Sequence, residues 1–150
     1  MNLQEELKAL KKRIAELEEQ VKEEQEFPQD GDKYWYMDEE GAVFCIFYKN
    51  HYLDGYHQEI GNIFRTKEQA EFVVEKLKVE AELRKFSKPF ELGSLNFIIC
   101  FDIEQDEIYS ETRRFMIQGA IYFESIEKAQ QAVSTVGVER VKKYIFGVED

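Results

Sequence analysis

A chain of 150 residues with 43% hydrophobic and 14% aromatic content has enough apolar material to bury a core, which argues against a disordered segment. Its net charge of -11 disfavours a sequence-independent grip on a nucleic-acid backbone, which needs a basic surface. No apolar run approaches a membrane span and the N-terminus does not read as a signal peptide, so the expectation is a cytoplasmic protein without membrane contact. Residues 1–26 carry eight acids and five bases, so most of the acidity belongs to residues 27–150.

The first element is read over residues 1–27. Leu3, Leu7, Leu10, Ile14, Leu17 and Val21 recur at alternating spacings of four and three, the seam of a coiled coil. Leu7, Ile14 and Val21 take the a positions, and Leu3, Leu10 and Leu17 take d. Mostly β-branched a residues with leucine at d favour two parallel strands. In that register Glu6 faces Lys11 of the partner helix and Arg13 faces Glu18, both attractive. The seam predicts a parallel homodimer; the alternative is an amphipathic helix folded back on its own domain. Asn2 is placed to cap the helix, and Phe27-Pro28 ends it.

Residues 28–32 read as a turn-rich hinge, and 33–150 as an α+β domain. Strands are expected at Lys33–Met37, Ala42–Tyr48 and Ile60–Phe64, with a polar, aromatic loop from Lys49 to Glu59. Thr66 caps a helix over 67–86, which Ser87-Lys88-Pro89 stops. The plan then repeats: a strand at Leu95–Asp102, a second from Ile108 to Gln118, a third at Gly119–Phe123, and a helix capped by Ser125 over 126–136. Beyond a break at Gly137, a short helix or turn occupies 138–146. Residues 33–86 and 95–136 therefore read as two ββ-β-α units sharing one antiparallel sheet, with the helices on one face.

No phosphate-binding glycine loop, nucleophile elbow, paired-cysteine motif or zinc-protease motif is present, and no catalytic residue or cofactor is assigned. Cys45 and Cys100 lie in apolar runs and read as buried reduced thiols, a disulfide between neighbouring strands being the other reading. His51, Asp54 and His57 are metal-ligand types, but their spacing fits no closed site and no fourth ligand is evident, so no metal is assigned. Tyr52, Tyr56 and His57 offer rigid amphipathic area of the kind used in protein contacts. Acidic residues cluster in both expected hairpin turns: Asp38, Glu39 and Glu40 in the first, and Glu104, Asp106 and Glu107 in the second, flanked by Asp102 and Glu111. Such carboxylates either stay solvated or occupy a basic groove meant for a nucleic-acid backbone. Arg113-Arg114 and Lys142-Lys143, near Tyr109 and Tyr144, are the contrary signal, a small platform for single strands.

The stretch Gly61-Asn62-Ile63-Phe64-Arg65-Thr66-Lys67-Glu68-Gln69-Ala70 resembles a module of small proteins encoded by phages and prophages of Gram-positive bacteria. The aromatic Tyr34-Trp35-Tyr36 hairpin, the KLKVEAELRKF helix and the closing RVKKYIFGVE extend the likeness over most of residues 33–149. The resemblance implies a phage accessory protein of the host cytoplasm and assigns no chemistry. The sequence-based expectation is a non-enzymatic homodimer that binds and inhibits a host nucleic-acid-handling defence enzyme, in the manner of an anti-CRISPR protein. The alternative is an accessory nucleic-acid-binding factor in phage replication or recombination.

Overall fold

A computed structural model describes residues 2–149. Helix α1 spans Leu3–Glu24. The Asn2 side chain accepts from Glu5 N at 2.9 Å, and the Glu5 carboxylate accepts from Asn2 N at 3.2 Å. This reciprocal cap satisfies two otherwise orphaned donors and contributes about 1 kcal/mol. No residue of α1 is buried. The six seam residues are 43–82% exposed, so the helix does not fold back on its own domain. Its C-terminal end is nevertheless anchored. The Arg65 guanidinium lies 4.4 Å from the centre of the Phe27 ring, and Pro28 is buried. The 28–32 segment is tied to the end of the first hairpin: Gly31 N donates to Tyr48 O at 2.8 Å, and Tyr48 N donates to Asp32 O at 2.7 Å.

Strands β1 (Lys33–Met37) and β2 (Val43–Phe47) form one antiparallel hairpin, and β3 (Asn96–Asp102) and β4 (Glu107–Arg113) form the other. The expected shared sheet does not form: these are two separate two-stranded sheets. The expected third strands are reduced to isolated bridges, Trp35 to Phe64 in the first half, and Phe97 to Phe123 and Lys88 to Tyr122 in the second. In the first half the reason is visible in Asn62. Its buried amide accepts from Met37 N at 2.8 Å and donates to Met37 O at 2.7 Å, doing with a side chain what a strand residue does with its backbone. Strand β4 stops at Arg113, short of the expected Gln118, because its partner begins at Asn96. There the Asn96 side chain turns back to accept from Glu91 N and donate to Glu91 O, each at 2.9 Å, fixing a turn in place of further strand.

The segment expected to be a loop contains a helix, α2 (Tyr52–Glu59). Helix α3 spans Lys67–Arg84, α4 spans Ile126–Val136 and α5 spans Val138–Tyr144. Thr66 Oγ1 accepts from Gln69 N at 3.2 Å, and Ser125 Oγ accepts from Lys128 N at 3.1 Å. Gly137, at φ +112°, divides α4 from α5 in a conformation that a residue with a Cβ rarely adopts.

Helix α3 packs on the first hairpin and α4 on the second, and α3 also packs against α4 and α5. The helices thus join the two hairpins, where the sequence suggested that they cover one face of a common sheet. The core forms at this junction: Val79 and Leu83 of α3 meet Phe97, Phe123, Ala129, Ala132, Val133, Val136 and Val141. Leu83 and Phe123 are fully buried, each contributing about 1.5–3 kcal/mol of transfer free energy. Arg140 adds a polar clamp, pairing with Glu82 at 2.5 Å and donating to Val136 O at 3.0 Å.

Candidate functional site

Helix α2 has two chemically different faces. Its N-cap is His51, whose backbone N donates to Asp54 Oδ2 at 2.9 Å. Lys49 N reaches the same oxygen at 3.1 Å, and Tyr34 Oη donates to Asp54 Oδ1 at 2.5 Å. Tyr34 Oη also lies 2.9 Å from His57 Nδ1. Since the phenol gives its proton to the carboxylate, it accepts from His57, which assigns the neutral ring's proton to Nδ1. His57 in turn stacks on Tyr36, with ring centres 4.4 Å apart.

Tyr34 is fully buried and Asp54 is 2% exposed, so this is an ionisable pair inside the protein. Burial pushes against the Asp54 charge, but the donors from Tyr34, Lys49 and His51 outweigh it and hold the carboxyl below its ordinary value. Burial first, and the hydrogen bond to Asp54 second, raise the Tyr34 phenol above its ordinary range. Burial lowers the His57 imidazole, against the pull of Asp54. With both Asp54 oxygens and His57 Nδ1 committed internally, this cluster anchors α2 to β1. His51, Asp54 and His57 do not converge as a ligand set, and among the described residues no group of three His, Cys, Asp or Glu side chains is placed to hold a metal ion.

The opposite face of α2 is open. Tyr52 and Tyr56 are 65% and 62% exposed, with rings edge to face at 6.2 Å. The sequence grouped Tyr52, Tyr56 and His57; the fold keeps the two tyrosines at the surface and turns His57 inward to Tyr34.

The acidic turns divide similarly. Asp38 Oδ1 accepts from Glu40 N at 2.9 Å and Ala42 N at 2.8 Å, and Asp102 Oδ1 accepts from Glu104 N at 3.0 Å and Gln105 N at 3.1 Å. Each aspartate ends the first strand of its hairpin and shapes the turn. Asp106 sits at φ +53°, which aspartate tolerates better than most residues, and it pairs with Lys142 at 3.3 Å. That leaves Glu39, Glu40 and Glu104 in the turns, and Glu107, which the sequence placed in the second turn but which begins β4, as exposed carboxylates.

The basic residues are partly committed. Arg113 pairs with Glu111 and donates to Thr112 O, while Lys142 serves Asp106 and Glu139. The Arg113 hydrogen bond, followed by that from Tyr109, holds the Glu111 carboxyl below its ordinary value. Lys143 lies over the Tyr144 ring. Cys45 and Cys100 are free, half-buried thiols in different sheets; burial chiefly raises the Cys100 thiol.

Sequence reasoning missed the Tyr34 connection. The available signal was a polar residue, His51, with Asp54 three positions later, the spacing of a capping box with an unusual cap. No family model, curated protein or solved structure matches this chain.

Proposed function

We propose that this chain is a phage-type, non-enzymatic homodimer that binds and inhibits a host nucleic-acid-handling defence enzyme, in the manner of an anti-CRISPR protein. The observation that carries the reading is the open seam of α1. Six apolar side chains at heptad spacing stand 43–82% exposed on a helix that buries nothing, and a second copy covers them while matching Glu6 to Lys11 and Arg13 to Glu18. Pairing two copies doubles every acidic turn and every Tyr52/Tyr56 face, which favours avid binding over chemistry. The exposed turn carboxylates support a target that normally grips phosphates.

Changing Glu39, Glu40, Glu104 and Glu107 to lysine tests this while sparing Asp38, Asp102 and Asp106, which hold the turns. Purified CRISPR effector nucleases of Gram-positive hosts are assayed for DNA cleavage with the wild-type chain and with this variant. The expected result is inhibition by the wild type that the variant loses while keeping its circular dichroism and melting temperature. Equal inhibition by both would remove the acidic surface from the reading.

A further inference from the structure

We propose that a groove between α3, the first hairpin turn and the end of α5 seats an arginine side chain from a basic segment of a partner protein. The proposal deepens the inhibitor reading by naming a contact point, but it is tested on peptide binding, with no nuclease involved.

The groove encloses about 510 Å³. Its aromatic surface is the pair Phe72 and Tyr144, with ring centres 5.0 Å apart. Glu68, Glu71 and Glu75 line it from α3, where spacings of three and four place them on one helix face, and Glu149 contributes from beyond α5. Lys78 and Lys143 are the two cations of the lining, so its carboxylates outnumber its cations. Gly41 closes another side. A Cβ built there would lie 3.3 Å from Val74 Cγ1, so glycine lets the acidic turn of the first hairpin approach α3 closely. Glu71 pairs with Lys67 at 3.6 Å and Glu75 with Lys78 at 3.1 Å. Glu68 and Glu149 make no ion pair among the described residues.

The lining itself indicates what the aromatic surface accepts. Lys143 places its ammonium 5.3 Å from the Tyr144 ring centre, so a cation of the chain's own already uses that face. A guanidinium is planar and more weakly hydrated than an ammonium, stacks on rings, and forks onto carboxylates. Arginine therefore fits a groove that combines rings with uncommitted carboxylates better than lysine does. Phosphate-bearing ligands are repelled by the same carboxylates.

Fluorescence anisotropy of the full chain with a fluorescein-labelled hexaarginine peptide tests the assignment, with hexalysine for comparison. Hexaarginine is expected to bind more tightly than hexalysine. Glu68→Gln with Glu149→Gln weakens it by about tenfold, as expected for two lost charge-assisted contacts. Phe72→Leu, which changes no charge, weakens it roughly three- to fivefold. Lys143→Gln frees the Tyr144 face and tightens binding, whereas Lys85→Gln, the same charge change at the end of α3, does not. Circular dichroism checks that Phe72→Leu remains folded, and the exposed Lys143 gives the same answer without touching the packing. Absence of peptide binding overturns the proposal. So does a response that tracks net charge alone, with Lys143→Gln and Lys85→Gln alike. Either result leaves the nuclease assay free to succeed or fail on its own.

Discussion

Asp54 holds a negative charge at 2% exposure, and it persists there because three donors converge on it. Removing one of them leaves a buried acceptor unsatisfied, which costs more than the net worth of an ordinary hydrogen bond. Tyr34→Phe is therefore expected to destabilise the chain by about 2–3 kcal/mol in urea unfolding and to detach His57 from its partner. The same cluster sets the acid limb of stability. Burial lowers the folded His57 imidazole from its ordinary 6.5, so below that pH the unfolded chain binds more protons than the folded one. Stability is thus present above about pH 6.5 and falls as pH drops through that value toward the lower folded pKa. A second loss sets in below the ordinary 3.8 of Asp54, whose folded carboxyl is also held low. Melting temperatures scanned against pH should show both losses, and His57→Gln should flatten the first while retaining the second.

At the scale of elements, α1 is separable in energy from the rest. It contains 22 residues and buries none of them, so apart from the anchor just beyond its C-terminal end it is supported in a single chain by its own hydrogen bonds, its cap and the Arg13–Glu16 pair. Most helical stability in proteins comes from packing of an apolar face, and in the proposed dimer pairing across the seam would supply that burial. Leu10→Glu with Leu17→Glu is therefore expected to give a monomeric mass by light scattering, with part of the helical dichroism lost. A chain shortened to begin at Gln29 should likewise be monomeric and keep its tertiary melting transition. Retention of a dimer in either variant would place the subunit contact elsewhere. Helix α2 makes the opposite point: eight residues are held by a cap, a buried carboxylate and one phenol, which leaves the outer tyrosines free for contact.

For the whole molecule, the helix layer between two small hairpins brings distant acids to particular sides. Glu68, Glu71 and Glu75 share a groove with Glu149 and with the turn that contains Gly41. The proposed dimer would carry twice the net charge of -11, and its field would attract basic surfaces over about a Debye length, ~8–10 Å at ordinary ionic strength. Inhibition by the wild-type chain should accordingly weaken as salt rises, and the four-lysine variant should lose that salt dependence along with its activity. A salt-independent inhibition would point to apolar contacts, with the Tyr52/Tyr56 face the first surface to alter.

Much of the local plan was legible in the amino-acid sequence. The helix of α1, the hydroxyl caps at Thr66 and Ser125, the aromatic hairpins and the break at Gly137 act through neighbours a few residues apart, which periodicity and capping chemistry report directly. Tertiary structure decided what depends on distant partners. Asn62 replaced a strand because Met37 lies within reach, and Tyr34 made a helix-fixing carboxylate of Asp54 across 20 residues. The hairpins remained separate sheets because the helices pack between them, and the groove exists only where residues near 41, 72 and 144 meet. Local order arises from torsions and caps written into adjacent residues, whereas a site is set by which side chains meet when the core closes.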